Sequence, residues 1–400
     1  MIPFAILHHG TMFLDAYFPF SKNTWWIQRD RLGHWSSVFP IVLPVLLTPL
    51  YIPAAIYVRQ ARPSPWRFET LCGLLEKFFA SVIAALSVVV LLIVLRRLTS
   101  EENALMLAIA FAFGTETWAI SSQALWQHGL AELLLALGLL FLTLDGSPSQ
   151  AIAMGVVCGL LAFNRPPDVF FSLALAVGYL VRRRPLAIWF LVAAVAVGAP
   201  FLIYNLLTFH HPAGGYGMLV QGALVGSPLR QRATSAVSGF AALLVSPGKG
   251  LVVYSPFFLF IVGAPMIRFS GSDRLPAVLL WAAFFLVVVV HSFTDWRAGS
   301  SYGPRFLTDA LPFLVVALVP ALERLSMHEG KPIFFAAVLF AIAAQVVGVF
   351  CFPGGGSVNL SQSDLWKPSG AQFYREAKAG FQREDYYYTL RHWLGVSGHP

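Results

Sequence analysis

Long apolar runs separated by short polar connections constrain this chain more than any other feature of its sequence. Hydrophobic residues make up 57% of its 400 positions and charged residues only 12%, whereas soluble domains average about 25% charged residues. A helix needs about 20 mostly apolar residues to cross the hydrocarbon layer, and ten runs approach or reach that length. They cover residues 72–95, 103–120, 127–144, 150–164, 168–181, 185–207, 250–267, 275–292, 306–322 and 332–352. The sequence therefore predicts an all-α polytopic membrane protein with about 10–11 transmembrane helices.

The count of helices depends on residues 38–58, an apolar segment that four prolines interrupt. Because proline removes a backbone donor and breaks helices, we interpret it as short juxtamembrane helices or a re-entrant segment. The alternative is a plain spanning helix. Residues 1–36 mix charged and aromatic side chains without the apolar region of a signal peptide. This pattern favours a loop lying on the bilayer, with tryptophans at the level of the headgroups.

Basic residues occur in alternate connections, and cytoplasmic loops are the ones enriched in Lys and Arg. This rule places one set of connections in the cytoplasm. The set contains Arg96-Arg97, Asp145 to Gln150, Arg182 to Arg184, Arg268 with Arg274, and Arg324 with Lys331. A basic group at Arg59, Arg62 and Arg67 argues the other way, but it is outnumbered. We therefore predict three regions, which are an external loop with juxtamembrane helices (1–70), a transmembrane domain with a long external loop at 208–249 (71–352), and an external tail (353–400).

The loop between the apolar runs that end at 292 and begin at 306 is unusually rich in functional residue types. Asp295, Arg297, Tyr302, Arg305 and Asp309 fall close together in a chain that is otherwise poor in charge. Arginine binds phosphate oxygens through two parallel hydrogen bonds, and a tyrosine ring stacks on sugars. The loop is thus a candidate site for a phosphorylated, sugar-bearing substrate. The alternative is a solvated hairpin with interfacial anchors.

A second candidate is Ser246-Pro247-Gly248-Lys249-Gly250, immediately before a predicted helix at Leu251. Helix N-termini favour anions, and Lys249 would add a mobile positive charge. The spacing is not that of a P-loop. A helix cap followed by a lysine that extends to the interface explains the pattern equally well.

Ionisable residues inside apolar runs are expensive and indicate functional sites. His128 and Glu132 lie one helical turn apart, and Glu116 precedes them. Metal binding is not favoured, since no further ligand follows at a suitable spacing. Arg165 lies in a Pro-containing turn with Asp168, and an ion pair between these two is the simpler interpretation.

A general base on the outer face would have to be a carboxylate, and the candidates are Asp15, Asp30, Asp295 and Asp309. The three cysteines lack the spacing of metal ligands or of a disulfide framework. No basic stretch carries the interleaved aromatic residues that nucleic-acid binding needs. We therefore expect no nucleic-acid partner and no metal, and the expected partners include membrane lipids.

Four stretches of the chain together resemble a known superfamily. They are residues 115–142, 159–168, 246–260 and 296–313, which include SPGKGL and SYGPR. The sequence is similar to bacterial membrane glycosyltransferases of the GT-C superfamily, of the protein O-mannosyltransferase and aminoarabinose-transferase type, over about residues 3–352. The resemblance implies a multi-pass protein of the bacterial inner membrane, with its active face and C-terminus outside the cytoplasm. It also implies inverting transfer of a sugar from a polyprenyl-phosphate donor to a glycan, lipid or protein acceptor of the cell envelope, without another cofactor.

The resemblance begins just after the position at which the family carries its catalytic acid, so the chain is expected to be truncated at the N-terminus. Asp15 is the nearest acid that remains, and the base role is assigned to it by default. We expect the donor phosphate and substrate to contact Lys249, Arg297, Tyr302, Arg305, Asp295, His128 and Arg165. Two other hypotheses stay open: a transporter or flippase for a lipid-linked saccharide, and an inactive member of the family that serves as a scaffold.

Overall fold

The structure is a computed structural model that describes residues 1–20, 26–218, 229–269, 274–294, 296–299, 301–325, 330–352 and 361–380. It is mostly helical (76%), as the apolar runs predict. The α-helices are α1 (Ile2–His9), α2 (Val42–Leu47), α3 (Ile52–Ala61), α4 (Pro65–Leu98), α5 (Glu101–Gly114), α6 (Gln127–Leu142), α7 (Pro148–Asn164), α8 (Val169–Leu180), α9 (Ala187–Phe209), α10 (Leu229–Val245), α11 (Leu251–Tyr254), α12 (Leu275–Phe293), α13 (Leu311–Ala317), α14 (Val319–Arg324), α15 (Gly330–Phe350), α16 (Gln362–Leu365) and α17 (Gln372–Ala379). Strands β1 (Ile27–Arg29) and β2 (Trp35–Ser37) form an antiparallel pair in which Gln28 faces Ser36.

Shorter turns of helix connect several of these elements. A π-helical turn follows α5 at Thr117–Ser121, and 3-10 helices lie at Asp15–Phe20, Thr48–Tyr51, Pro166–Asp168, Arg184–Leu186, Pro256–Ile261, Arg305–Ala310 and Pro368–Gly370. In the part of the chain that is described, six helical segments are long and apolar enough to cross a membrane: Val42–Ala61, Pro65–Leu98, Arg184–Phe209, Leu275–Phe293, Arg305–Arg324 and Gly330–Phe350. Four apolar helices are shorter, at Gln127–Leu142, Pro148–Asn164, Pro166–Leu180 and Ala236–Val245. This is the composition of an all-α polytopic membrane protein.

The proline-rich segment 38–58 is helical for most of its length. Helix α2, the 3-10 turn at Thr48–Tyr51 and α3 follow one another directly, so that Val42–Ala61 meets the length of a span. Pro49 and Pro53 each lie in the first turn of one of these pieces, where the missing N–H is not needed for a helical hydrogen bond. The structure therefore favours the alternative of a spanning helix by length, although three short helices build it.

One prediction about element boundaries is wrong, and two predicted loops contain helices. The run 250–267 is not one helix, because α11 ends at Tyr254 and Pro256 starts a 3-10 helix that ends at Ile261. Proline cannot continue the hydrogen-bonding of the preceding turn. The predicted loop 208–249 contains the helix α10, and the predicted surface loop at the N-terminus begins with the helix α1, whose Phe4 is fully buried.

Helix α7 packs most closely against α9, and small residues allow this approach. A Cβ placed on Gly155 would lie 2.3 Å from the carbonyl oxygen of Phe190, and one on Gly159 would lie 2.8 Å from that of Ala194. Glycines four residues apart let two membrane helices bring their backbones together. Helix α6 contacts α4, α7 and α8, which places it at the centre of the described helices.

Hydrogen bonds join the predicted basic connections to one another at one end of the helices. Arg97 donates to the carbonyl of Thr143 (3.1 Å), Arg183 donates to that of Asp145 (3.2 Å), and Lys331 donates to Asn103 (3.4 Å). At the opposite end Asn164 donates to the carbonyl of Gln127 (2.8 Å). The hydrogen bonds therefore join Arg97 to the connection after α6, Arg183 to that same connection, and Lys331 to the start of α5.

Candidate functional site

A buried group of four polar side chains comes from four distant parts of the chain. It consists of Arg165, Asp309, His128 and His291, and we call it the arginine cluster. Each side chain is at most 4% exposed. Arg165 follows α7 and His128 lies in the first turn of α6, while His291 belongs to the last turn of α12. Asp309 lies in the 3-10 helix that opens the 305–324 segment.

Local sequence explains the position of Arg165. Prolines at 166 and 167 end α7, since the residue before a proline is driven out of the helical conformation. Arg165 accordingly has an extended backbone (φ −145°, ψ 136°). Its side chain is thereby turned inward among the helix ends instead of outward along α7.

Asp309 connects the cluster. Its Oδ1 accepts a hydrogen bond from Nδ1 of His128 (2.7 Å), and its Oδ2 forms an ion pair with Nη1 of Arg165. On the other side Nη2 of Arg165 lies 3.5 Å from Nε2 of His291. An arginine and a carboxylate buried together in an apolar bundle are stable only when they are paired and hydrogen-bonded. The cluster satisfies both conditions.

Arg305 and two aromatic rings lie beside this cluster. The guanidinium carbon of Arg305 is 4.1 Å from the ring centre of Trp126 and 5.4 Å from that of Phe306. Phe306 in turn stacks on His291, with ring centres 4.1 Å apart. Arg305 is only partly buried. The edge of the arginine cluster therefore carries a guanidinium that packs on two aromatic rings.

The predicted ion pair between Arg165 and Asp168 is wrong, because Arg165 pairs with Asp309. Both carboxylate oxygens of Asp168 are buried without a hydrogen-bond partner among the described residues. The main-chain N–H of Asp168 donates to the carbonyl of Arg165 (3.0 Å). The two residues thus share a turn but not a salt bridge.

Lys249 does not provide the mobile charge that its sequence context suggested. Its side chain is 1% exposed and its ammonium donates to the carbonyl of Ser301. The helix that follows, α11, has only four residues, which is too short to present an anion site. Lys249 is instead a fixed internal cation that ties the 246–250 segment to the 296–303 loop.

Tyr302 is also not presented to a substrate. It is fully buried, and its hydroxyl donates to the carbonyl of Ala344 in α15 (2.5 Å). Burial raises the pKa of this phenol well above its usual value, so the neutral hydroxyl persists as a donor. Tyr302 packs edge-on against Tyr254 and holds the loop to the bundle.

The C-terminal segment that is described covers this same loop. Gln372 accepts a hydrogen bond from the N–H of Gly303 (2.8 Å) and donates to the carbonyl of Ser301 (3.0 Å). Its own N–H donates to the hydroxyl of Tyr254 (3.0 Å). Residues 361–380 therefore lie on the face that carries the 296–303 loop.

The remaining predicted site residues are separate from the arginine cluster. Asp15 accepts hydrogen bonds from Nδ1 of His34 (3.0 Å) and from the N–H of Trp35 (3.1 Å), and its side chain is 46% exposed. Asp30 binds the main chain of its own turn. Arg297 is half-buried in the loop. Asp295 lies outside the described residues.

Sequence reasoning missed His291, Gln345 and Gln372. His291 ends an apolar run, and the rule that flagged His128 as an ionisable group within the membrane applies to it equally. Gln372 has no such signal, since it is one polar residue in a polar tail. Its importance depends on a contact with a loop 69 residues earlier.

Among the described residues, no group of three or more His, Cys, Asp or Glu side chains is arranged to hold a metal ion. No family model matches the chain, and neither a curated protein nor a solved structure matches it. The geometry of the site, together with the sequence motifs, therefore carries the functional proposal.

Proposed function

We propose that this protein is a membrane glycosyltransferase of the GT-C type. It moves a sugar from a polyprenyl-phosphate donor to a lipid, glycan or protein acceptor on the non-cytoplasmic face of the bacterial plasma membrane. The proposal includes about ten or eleven membrane crossings and an active face that carries the 296–303 loop and the C-terminal segment. It also includes the exclusion of nucleic acid and of a second cofactor.

The observation that carries the proposal is the position of Arg305. Arg305 is a partly buried residue whose guanidinium lies over Trp126, at the end of the helices where the polar loops meet. A guanidinium binds two phosphate oxygens at once, and an exposed aromatic face packs against a sugar or a prenyl chain. Preorganised cations stabilise the negative charge that develops on a phosphate leaving group.

The arginine cluster lies next to Arg305, because Phe306 contacts both the Arg305 guanidinium and the His291 ring. Arg165 is neutralised by Asp309 and is buried, so we assign it a positioning role instead of direct contact with the donor. The role of first phosphate ligand therefore passes to Arg305, with Arg297 as the second cation of the loop.

Asp15 is the carboxylate that we propose as general base. It is half-exposed, and hydrogen bonds from His34 and Trp35 fix its orientation. An oriented, accessible carboxylate is able to accept the proton of an acceptor hydroxyl if the hydroxyl reaches it. Asp309 is a poorer candidate, since Arg165 and His128 already occupy its oxygens.

Transfer by the full-length protein in liposomes tests the proposal. The probes are undecaprenyl-phosphate mannose and undecaprenyl-phosphate aminoarabinose, labelled in the sugar, with envelope lipids and glycans as acceptors. The wild type should release the sugar from its carrier, and Arg305→Ala should lower the rate about 100-fold or more. Arg324→Ala is the matched control, because Arg324 is exposed at the far end of the same 305–324 segment.

Three results would contradict the proposal or redirect it. Wild-type turnover in Arg305→Ala would exclude the phosphate role of this residue. Movement of the intact lipid-linked sugar between leaflets, without cleavage, would indicate the transporter. If the wild type neither cleaves nor moves either probe, the scaffold hypothesis gains support.

A further inference from the structure

A second buried polar group lies between α5, α6 and α15. It consists of Glu116, Thr117, Ser121, Glu132 and Gln345, and we call it the acid cluster. Each of these residues is at most 1% exposed. Glu132 lies five residues after the first residue of α6, about 7.5 Å along its axis, so the cluster lies inside the bundle beneath the polar loops.

Each carboxylate accepts a side-chain hydrogen bond, and the hydroxyl of Ser121 also lies against Glu132. Thr117 Oγ1 donates to Glu132 Oε1 (2.9 Å), and Gln345 Nε2 donates to Glu116 Oε1 (3.1 Å). The second oxygen of each carboxylate, and Oε1 of Gln345, are buried without a hydrogen-bond partner among the described residues. All three of these atoms are acceptors. Buried polar atoms are rarely left unpaired in native proteins, and acceptors of this kind are satisfied by a hydrogen-bond donor or by a cation.

A π-helical turn of the backbone positions two hydroxyl oxygens in the acid cluster. The N–H of Ser122 donates to the carbonyl of Thr117 (3.0 Å), which is the wide turn of a π-helix. Single π-helical turns are rare and occur frequently at functional sites. This turn places the hydroxyls of Thr117 and Ser121 on one side, against Glu132.

The charges within the acid cluster do not balance. Glu116 and Glu132 act on each other electrostatically, and Lys249 is the cation that acts on Glu116. Arg375 and Glu376, which lie near Tyr254, form their own ion pair (3.1 Å). No ion pair reaches Glu132 in the described part of the chain. Two carboxylates and one lysine leave one negative charge, and an uncompensated buried charge is very costly.

We infer that the acid cluster binds one monovalent cation, a proton or a sodium ion, between Glu116 and Glu132. A sodium ion would have as ligands the free carboxylate oxygens, Gln345 Oε1 and the hydroxyls of Thr117 and Ser121, whereas a proton would lie on one of the free carboxylate oxygens. Oxygen ligands alone suit a hard cation, and a single positive charge completes the balance. The site is independent of the proposed glycosyltransferase activity and would be present in a transporter or a scaffold as well.

Two measurements on the purified full-length protein separate the proton from the sodium ion. Infrared spectroscopy detects the carbonyl stretch of a buried protonated carboxyl group, which shifts in deuterated water. Thermal unfolding in sodium chloride against choline chloride detects sodium, because a ligand of the folded state raises the midpoint as its concentration rises. We expect one of these signals in the wild type at neutral pH.

The same signal should be lost in Glu132→Gln and weakened in Thr117→Val. Glu102→Gln is the control, since Glu102 is exposed at the start of α5. If the wild type shows neither the protonated carboxyl band nor a stabilisation specific to sodium, the inference is wrong. A signal that persists unchanged in both Glu132→Gln and Glu116→Gln would also overturn it, whatever the stability of those variants.

Discussion

The arginine cluster and the acid cluster lie one helical turn apart on α6, which contributes His128 to the first and Glu132 to the second. In the arginine cluster each charge has an opposite charge in contact with it. In the acid cluster two carboxylates face a single lysine and retain unpaired oxygens. The first is therefore complete as a structural unit, while we infer that the second binds a cation from solution. Burial alone does not distinguish a structural polar group from a binding site, but the balance of charges does.

Removal of the central carboxylate should have the largest effect on this comparison. Asp309→Asn keeps the shape but leaves Arg165 buried without its ion pair, and breaking a buried pair costs about 3–5 kcal/mol. We expect a corresponding loss of thermal stability in the detergent-purified protein. Glu101→Gln breaks the ion pair with Arg96, which is exposed to solvent, and should cost about 1 kcal/mol or less.

If the free energy of unfolding falls by less than about 1 kcal/mol in Asp309→Asn, Arg165 must have another anion within reach. Asp168 would be the one, because its buried carboxylate feels the charge of Arg165. The double variant Asp309→Asn with Asp168→Asn would then lose the full stability that the single variant retained, because Arg165 would have neither carboxylate.

The second-largest loss of stability is expected where the 296–303 loop contacts the acid cluster, at Gly303. Gly303 and Gly299 both have positive φ, 54° and 59°, but a Cβ on Gly303 would lie 2.8 Å from Glu116 Oε1, whereas one on Gly299 would meet nothing within 4 Å. Alanine at either site adopts a left-handed backbone, which costs about 1–2 kcal/mol. Gly303→Ala should lose about 1–3 kcal/mol more, since it overpacks a buried site.

Equal losses of stability in Gly303→Ala and Gly299→Ala would show that Glu116 moves away freely. That outcome would also weaken the view of the acid cluster as a preorganised site. The unfolding midpoints of the two variants, measured in the same detergent, decide the question.

The smallest effect is expected from the hydroxyl that binds Glu132. Thr117→Val removes one hydrogen bond to a buried carboxyl group and should cost about 0.5–1.5 kcal/mol. Thr70→Val is the control, because the Thr70 hydroxyl bonds only the carbonyl of Trp66 within its own helix. If Thr117→Val is no more destabilising than Thr70→Val, Thr117 does not hold Glu132 in solution.

The sequence predicts most of the helices, because the length of an apolar run can be read from one segment without knowledge of its neighbours in the fold. It failed where neighbouring residues override that length, as at Ser255-Pro256, and where a helix such as α10 is hidden in a mixed loop. His128, Arg165 and Asp309 were each recognised as candidates, but their mutual pairing was not. Pairing across 144 residues, as between Arg165 and Asp309, depends on how helix ends meet. Local pattern carries no information on it, and for the same reason the sequence around Lys249 predicts a mobile charge where the structure has a fixed one.

The hydrogen bond between Gly303 and Gln372 has a consequence for the order in which the protein is made. The loop leaves the ribosome 69 residues before the side chain that completes it. At about 5–20 residues per second that is an interval of roughly 3–14 s. During this time the N–H of Gly303 must be satisfied by water or by another protein, whereas the carbonyl of Ser301 already has Lys249 as a donor. The 296–303 loop is thus among the last parts of the described fold to reach its final form. The chain up to the end of α15, at Phe350, is complete within the next 50 residues, and only the helices of the C-terminal segment are synthesised later.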